Sequence, residues 1–539
     1  MAKVKRFLSG VFVLFIVIAL LQCARRGSPT GGPRDTEPPV LIKAEPENLS
    51  TNFSAKKIRL YFDEYIKLQD VQNQLIVSPP FKNPLDISPQ GGASKYIEIE
   101  INDTLQENTT YTMNFGESIV DNNEGNAYPY LTYVFSTGDY LDSLSLLGVV
   151  RDAFNKETDE FISVMLYEID SNYTDSVIRK NPPNYLTNTL DSTTIFRLQY
   201  LKAGDYRLIA IKDEAKNNLY DPVVDKIGFV EDTITLPTDS IYVLDLFREV
   251  ADYSPVVPKL AARNKIVFGY NGPEEKLEIQ PITKIPDTVF TYLAKEPGKD
   301  TLNYWFTPFV ADSLIFEIFN SRLEQRDTFT IKTRELPLDT LLVSASQRSS
   351  INFLDTLSLS ANIPVQASDT ARVSMINKDS LPQPLQISLD TIGNRLVIDF
   401  EKEPNETYLL NILPGALTDI FGTTNDTLNY RLTTGSYADY GNLRIRLSGD
   451  VNYPVLVELT TPQGEIVRSI AAEEDQLFEF NLLNPAKYLL RAIFDTNRNQ
   501  RWDTGNFKEK IQPEKVVYFP QEIEVRANWE LEQLFVIEE

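Results

Sequence analysis

Phe478-Glu-Phe480-Asn-Leu-Leu483-Asn-Pro-Ala486-Lys-Tyr488-Leu-Leu-Arg-Ala492-Ile-Phe-Asp495 alternates apolar and polar residues, turns at Asn484-Pro485 and resumes as an apolar run. A period of two followed by a Pro-containing break reads as strand, turn, strand. The stretch has an earlier copy, Phe196-Arg-Leu198-Gln-Tyr-Leu201-Lys-Ala-Gly204-Asp-Tyr206-Arg-Leu-Ile-Ala210-Ile-Lys-Asp213. The pairs 196/478, 206/488, 213/495 and 221/503 share one offset of 282, with the same Phe, Tyr, Asp and Asp at each. A constant offset without gaps is the mark of a duplicated domain, expected at 144–248 and 440–539.

Outward from these copies, short apolar runs such as Ile58-Arg-Leu60-Tyr-Phe62, Tyr96-Ile-Glu-Ile-Glu-Ile101 and Tyr111-Thr-Met-Asn-Phe115 are broken by Asn, Asp, Gly and Pro. No long helical period appears after Leu21. The pattern predicts an all-β chain of tandem sandwiches.

Composition excludes several functions. The 539 residues carry 52 basic and 76 acidic side chains, a net charge of −24, which repels nucleic acid and anionic headgroups. There is no histidine, so Ser-His-Asp and Cys-His catalysis and the commonest zinc ligand are absent. The single cysteine, Cys23, rules out an intrachain disulfide. Lys3, Lys5 and Arg6 precede the apolar run Phe7 to Leu21, too short for an ordinary membrane span, and then come Leu20-Leu21-Gln22-Cys23. This resembles a bacterial lipoprotein signal, although Gln22 stands where a small residue is usual. The resemblance implies a signal peptide at 1–22, lipidation at Cys23 and an outer-membrane anchor; an uncleaved signal anchor is the other reading. Residues 23–39, rich in Gly, Pro and charge, read as a tether. Arg25 and Arg26 stand where some surface-exported lipoproteins of Bacteroidetes carry an acidic cluster, so the periplasmic and cell-surface faces both stay open.

Asp35-Thr-Glu-Pro-Pro39, Leu60-Tyr-Phe62-Asp-Glu64, Leu105-Gln-Glu-Asn108-Thr-Thr-Tyr111, Asp121 to Asn126 and Phe135-Ser-Thr137-Gly138 resemble the bacterial Ig-like domain first described in the S-layer protein SbsA, over 35–138. Asn405-Glu-Thr407-Tyr408, Thr418-Asp419-Ile-Phe-Gly422 and Tyr430-Arg-Leu432-Thr-Thr434-Gly435 follow the same plan, so a second such domain is expected at 340–437. Leu147-Gly-Val-Val150-Arg-Asp152 followed by Ile162-Ser-Val-Met-Leu-Tyr167 resembles the opening of a carboxypeptidase-regulatory-like, or transthyretin-like, sandwich, which extends to both duplicated segments. Residues 255–335 match neither pattern and are expected to form a further sandwich. Together these imply a string of five β domains.

One polar loop stands out as a candidate site. Asp495-Thr-Asn497-Arg-Asn499-Gln-Arg501-Trp502-Asp503 places oxygen side chains at positions 1, 3, 5 and 9 of a calcium loop, with the Arg501 carbonyl at position 7. Gln500 replaces the usual turn glycine, and Asn506 replaces the bidentate Glu, which would make any calcium site weak, roughly 10⁻⁴ to 10⁻³ M. The same residues equally read as an Asx-rich turn capping its own backbone. The copy at Asp213 has Ala215 at the third position. Trp502 and Tyr220 occupy matching places and read as sugar platforms or as core aromatics. No cofactor is expected beyond structural calcium.

Asp, then Ser or Thr, then an apolar residue recurs at Asp103-Thr104-Leu105, Asp142-Ser143-Leu144, Asp232-Thr233-Ile234, Asp312-Ser313-Leu314, Asp355-Thr356-Leu357, Asp426-Thr427-Leu428 and elsewhere. It resembles the O-glycosylation sequon of exported Bacteroidetes proteins, and it is also ordinary turn-to-strand chemistry. Paired acids such as Asp63-Glu64 and Glu473-Glu474-Asp475 are expected by chance among 76 carboxylates, and no catalytic residue is assigned. The sequence therefore points to a non-enzymatic envelope lipoprotein acting as scaffold or subunit of an outer-membrane complex, with other envelope proteins, outer-membrane barrels among them, as partners. An adhesin or glycan-binding lipoprotein is the alternative, and a carboxylate-dependent polysaccharide hydrolase is a third. The sequence names no ligand.

Overall fold

A computed structural model describes residues 35–189, 194–272 and 277–538. Cys23, the signal segment and most of the tether lie outside these residues. The all-β expectation holds: 48% of the described residues are strand and 3% helix. Contacts divide the chain into two compact units, Met1–Asp142 and Ser143–Glu539.

In the first unit, one sheet has the order Leu41–Glu45, Lys57–Leu68, Ser94–Glu100, Asp86–Ser88, with Ile119–Asp121 also pairing with the long Lys57–Leu68 strand. The facing sheet is Ile76–Ser78, Thr110–Asn114, Thr132–Ser136. Alternation along Lys57–Leu68 buries Ile58, Leu60, Phe62 and Ile66 against Tyr111, Phe115, Tyr133 and Phe135. Each such side chain contributes about 1.5–3 kcal/mol by leaving water. The Asp121 turn closes this sandwich. Its carboxylate accepts the backbone N–H groups of Asn123 (2.8 Å), Glu124 (2.6 Å), Gly125 (3.1 Å) and Asn126 (2.8 Å). Burial opposes its ionisation, and the four donors outweigh burial, holding the carboxyl below its ordinary value.

The second unit holds the duplicated segments. In the earlier one, Leu144–Asp152 lies between Ile195–Leu201 and Ile241–Leu246, and the second sheet runs Tyr185–Asn188, Ser163–Glu168, Gly204–Lys212, Lys226–Phe229, with Ile234–Leu236 also on Gly204–Lys212. In the later one, Gly441–Gly449 lies between Leu477–Leu483 and Glu530–Ile537, and the second sheet runs Ile466–Ala472, Val455–Thr460, Ala486–Phe494, Val516–Tyr518, with Ile523–Val525 also on Ala486–Phe494. The topologies are the same, down to a last strand that runs parallel to the first. The break after Leu483 carries the chain from one sheet to the other, and Tyr200 and Leu482, again 282 apart, both have positive φ (58° and 56°) there.

Residues 343–433 repeat the strand order of the first unit: Val343–Ala345, Leu357–Ala361, Arg395–Asp399, Gln386–Asp390 facing Val373–Ile376, Thr407–Ile412, Leu428–Thr433. Asp419 matches Asp121, taking the N–H groups of Phe421 (2.9 Å) and Thr423 (2.8 Å). Between the first duplicated segment and this part, residues 254–332 form another sandwich, with Phe268, Tyr304, Phe306 and Phe316 at its centre. The parts of this unit do not meet only in chain order, as a simple string would. The last duplicated segment packs on the first, with Phe507 joining the cluster of Met165, Tyr167, Ile209, Ile211, Tyr220, Phe229 and Phe247.

Candidate functional site

The Asp495 loop follows Ala486–Phe494 and leads toward Val516–Tyr518. Asp495 is buried, and its two carboxylate oxygens accept the N–H groups of Asn499 (3.0 Å) and Gln500 (2.8 Å). Arg498 and Gln500 take positive φ, 65° and 60°, to complete this turn. Asn497 Oδ1 caps the Asn499 amide (3.1 Å), and Asn499 Oδ1 caps that of Arg501 (3.0 Å). Both asparagine Nδ2 groups donate to Asp503 Oδ2, at 2.5 and 2.6 Å. The Arg501 guanidinium lies 3.8 Å from the other Asp503 oxygen. The five predicted residues are thus brought together, and they close the loop on itself. Among the described residues, no three Asp, Glu or Cys side chains converge as a metal site. A calcium ion at this loop has to replace the hydrogen bonds of Asp503 to the two asparagines.

The residue that organises the loop was not visible in its motif. Glu514 accepts from Thr496 N (2.7 Å) with one oxygen and from Asp503 N (3.1 Å) with the other. In the copy, Asp225 does the same job, accepting from Glu214 N (3.0 Å) and Asp221 N (2.8 Å). The bridged positions again differ by 282, whereas Glu514 and Asp225 differ by 289, so seven residues were gained between loop and clamp. Realignment after that step puts acid opposite acid and is the signal that finds them. The copy is less well satisfied. Asp213 Oδ2 accepts from Asn218 N (2.6 Å), but Oδ1 is buried without a hydrogen-bond partner. Burial pushes the Asp213 carboxyl above its ordinary value, against the pull of its backbone donors.

Beyond its turn, the loop is an internal joint. Trp502 packs at 4.6 Å on Phe154 of the earlier segment and donates its indole N–H to Glu514 O (2.9 Å). Phe507 enters the earlier segment's cluster edge-on to Phe229, at 5.2 Å. Buried Glu249 binds both sides, accepting from Tyr220 Oη (2.5 Å) and from Phe507 N (2.6 Å). Thr504 Oγ1 donates to Arg248 O (2.6 Å), Gln512 Nε2 to Phe229 O (3.1 Å) and Tyr518 Oη to Phe154 O (2.9 Å). A Cβ on Gly505 would stand 2.7 Å from the Phe247 ring, so glycine is what permits this approach. Tyr220 is 2% exposed, and burial, then Glu249, push its hydroxyl far above the ordinary value. Of the two readings of Trp502 and Tyr220, the packing fits core aromatics: Tyr220 is buried and the half-buried Trp502 ring lies on Phe154.

The paired acids have structural surroundings. Asp63 Oδ1 caps Val40 N (2.8 Å); burial and then the Asp121 and Asp63 charges push Glu64 up. Glu473 pairs with Arg498 at 2.8 Å on the surface. In the Asp-Ser/Thr-apolar pattern, Thr104, Ser143, Thr233, Thr356 and Thr427 are exposed, while Ser313 is half-buried, and the following Ile234, Leu314 and Leu357 point into cores. At 142–144, 232–234, 312–314, 355–357 and 426–428 the pattern marks the entry to a strand, whereas Asp103-Thr104-Leu105 lies in the loop before Thr110–Asn114. No helix among the described residues is long and apolar enough to cross a membrane.

Residues 35–137 match the bacterial Ig-like domain family. No curated protein matches the chain. Among solved structures, domains 1–6 of the surface layer protein SbsC align at 10% identity over 90% of this chain and 67% of that one, with a TM-score of 0.15. The major pilin subunit of Bacillus cereus aligns at 10% identity over 73% and 99%, with a TM-score of 0.14. The BSP domain of a biofilm associated protein aligns at 9% identity over 92% and 95%, with a TM-score of 0.15. Superposition this loose carries no argument about arrangement or activity.

Proposed function

We propose that this protein is a non-enzymatic cell-envelope lipoprotein, anchored through acylated Cys23, that serves as a scaffold or subunit of an outer-membrane protein complex. The duplicated segments are carboxypeptidase-regulatory-like sandwiches in this reading, and the exposed Ser and Thr of the Asp-Ser/Thr-apolar pattern are its O-glycan acceptors. The observation that carries the proposal is the use of the one loop that resembled a site. Trp502, Phe507 and the Glu514 clamp hold two parts of the body together. Such a loop braces a surface for other proteins rather than holding a substrate. The adhesin alternative loses its two aromatic platforms to the same packing.

The test is purification from solubilised membranes of the native source. Stoichiometric recovery with integral barrel proteins supports the scaffold, and elution as a partner-free chain overturns it. Cys23→Ala should leave the protein unacylated and soluble; retention in the membrane with its full N-terminus would establish the signal anchor instead.

A further inference from the structure

Two occurrences of the Asp-Ser/Thr-apolar pattern stay entirely open. At Asp239-Ser240-Ile241 and Asp379-Ser380-Leu381 all three side chains are exposed, Ile241 at 66% and Leu381 at 59%. The Asp and Ser side chains there make no hydrogen bond or ion pair among the described residues. At the other occurrences among these residues, one element is committed. Either the apolar side chain packs toward a core, as Ile234, Leu314 and Leu357 do, or the carboxylate is held by its own turn, as Asp390 is by Gly393 N (2.8 Å) and Arg395 Nε (3.0 Å). The repeats show that the fold does not require the open residues. Ile241 pairs with Leu147 as Glu532 pairs with Arg444, so the later duplicated segment has Glu530-Leu531-Glu532 at the place of Asp239-Ser240-Ile241. Pro84-Leu-Asp-Ile-Ser88 and Pro384-Leu-Gln-Ile-Ser388 share an offset of 300, which sets Pro79-Pro80-Phe81 against Asp379-Ser380-Leu381. Phe81 stacks on Tyr111 at 5.5 Å, whereas Leu381 faces solvent.

We infer that Ser240 and Ser380 are the two hydroxyls that the folded chain offers to a glycosyltransferase; this rests on the O-glycan reading under Proposed function. An enzyme that reads carboxylate, hydroxyl and aliphatic group together finds all three accessible and uncommitted at these two places among the described residues. The loop at 380 is shaped without its outward side chains. Asn377 takes Ser380 N on its carbonyl (3.0 Å) and Leu381 N on its side-chain oxygen (2.9 Å). The backbone is thereby satisfied while residues 379–381 project outward. In the transfer, serine Oγ bonds to the anomeric carbon of a sugar diphosphate donor. The bond from that carbon to the diphosphate oxygen breaks, the diphosphate leaves with the electron pair, and the hydroxyl proton passes to a base of the transferase. The chain itself supplies the acceptor alone.

The test is glycopeptide mapping by mass spectrometry of the full chain from its native source, beside Ser240→Ala, Ser380→Ala and Leu381→Asp produced in that source. Peptides holding Ser240 and Ser380 should carry sugar, and those holding Thr233, Ser313 and Thr356 should carry none. Ser240→Ala and Ser380→Ala should each lose one glycan's mass and stay folded, as expected of surface substitutions. Leu381→Asp keeps the Ser380 hydroxyl, and it should lose the sugar at 380 while retaining the one at 240. Sugar on Thr233 or Thr356 as often as on the two serines, or on Ser380 in Leu381→Asp, overturns the inference and leaves the O-glycan reading standing. Bare peptides throughout overturn both.

Discussion

The two duplicated segments share a topology and differ on one sheet face. In the earlier segment, the outer face of Gly204–Lys212 and Ser163–Glu168 carries Ile209, Ile211, Met165 and Tyr167, sealed under Tyr220, Phe229, Phe247 and Phe507. In the later segment, the positions matching Ile209 and Met165 are Arg491 and Glu458, a buried ion pair at 2.6 Å. Arg491 also reaches Tyr518 Oη at 3.1 Å and lies 4.0 Å over the Phe154 ring of the earlier segment. One copy thus covers its partner's apolar face with an aromatic, and the other is capped by a ring stacked on a cation. The fold tolerates either solution, and the difference is what makes the copies complementary rather than interchangeable.

The largest expected effect comes from breaking the ion pair on one side. Glu458→Ala leaves Arg491 buried and uncompensated, which should cost about 3–5 kcal/mol. Installing the earlier segment's solution, Glu458→Met with Arg491→Ile, should recover most of that loss. Chemical denaturation of the unchanged protein, the single and the double variant, followed by tryptophan fluorescence, checks both; a double variant no better than the single would show that the pair cannot be exchanged for its apolar counterpart. Next, Phe507→Ala should cost about 3 kcal/mol, the usual range for an aromatic lost from a core. Amide exchange should quicken around Phe229 and Phe247 as well as around residue 507, because the two copies lose one plug.

A smaller, pH-dependent effect is expected at Asp213. Its folded-state pKa is raised by burial, so the folded chain holds that proton more tightly than the unfolded chain. The group therefore favours the folded state below its unfolded value of about 3.8 and penalises it as pH rises through the folded value. Asp213→Asn keeps an acceptor for Asn218 N and should raise stability at pH 7 by on the order of 1 kcal/mol. Thermal melts should show the gain shrinking toward zero below pH 4; a gain that persists there would implicate something other than charge. Smallest is the response of the Asp495 loop to calcium. Millimolar Ca²⁺ should shift the melting temperature no more than Mg²⁺ does, since the asparagine amides already occupy Asp503 Oδ2 and backbone N–H groups both Asp495 oxygens.

Periodicity of two made the strands legible, and the offset of 282 made the duplication legible, because both are local or repeated signals. The Asx turns around Asp495 were legible for the same reason. Glu514 and Asp225 were not, since a clamp 19 residues beyond Asp495 has no fixed spacing to the loop: the stretch between loop and clamp is seven residues longer in the later copy. The roles of Glu249 and Phe507 depend on which faces meet across the second unit, and one-dimensional patterning carries no trace of that. Trp502 and Tyr220 show the cost: an aromatic in a polar loop looks the same whether it awaits a ligand or another domain.

The joint at Phe507 and Glu249 also has a mechanical meaning. Residues 254–437 leave the chain just after Glu249 and return before the last segment, so the joint closes them into a loop. Tension applied between Ser143 and the C-terminal strand passes through the joined copies in parallel with that loop. Until the joint yields, the two intervening sandwiches carry little of the load; once it does, they add slack before any of their own strands must unfold.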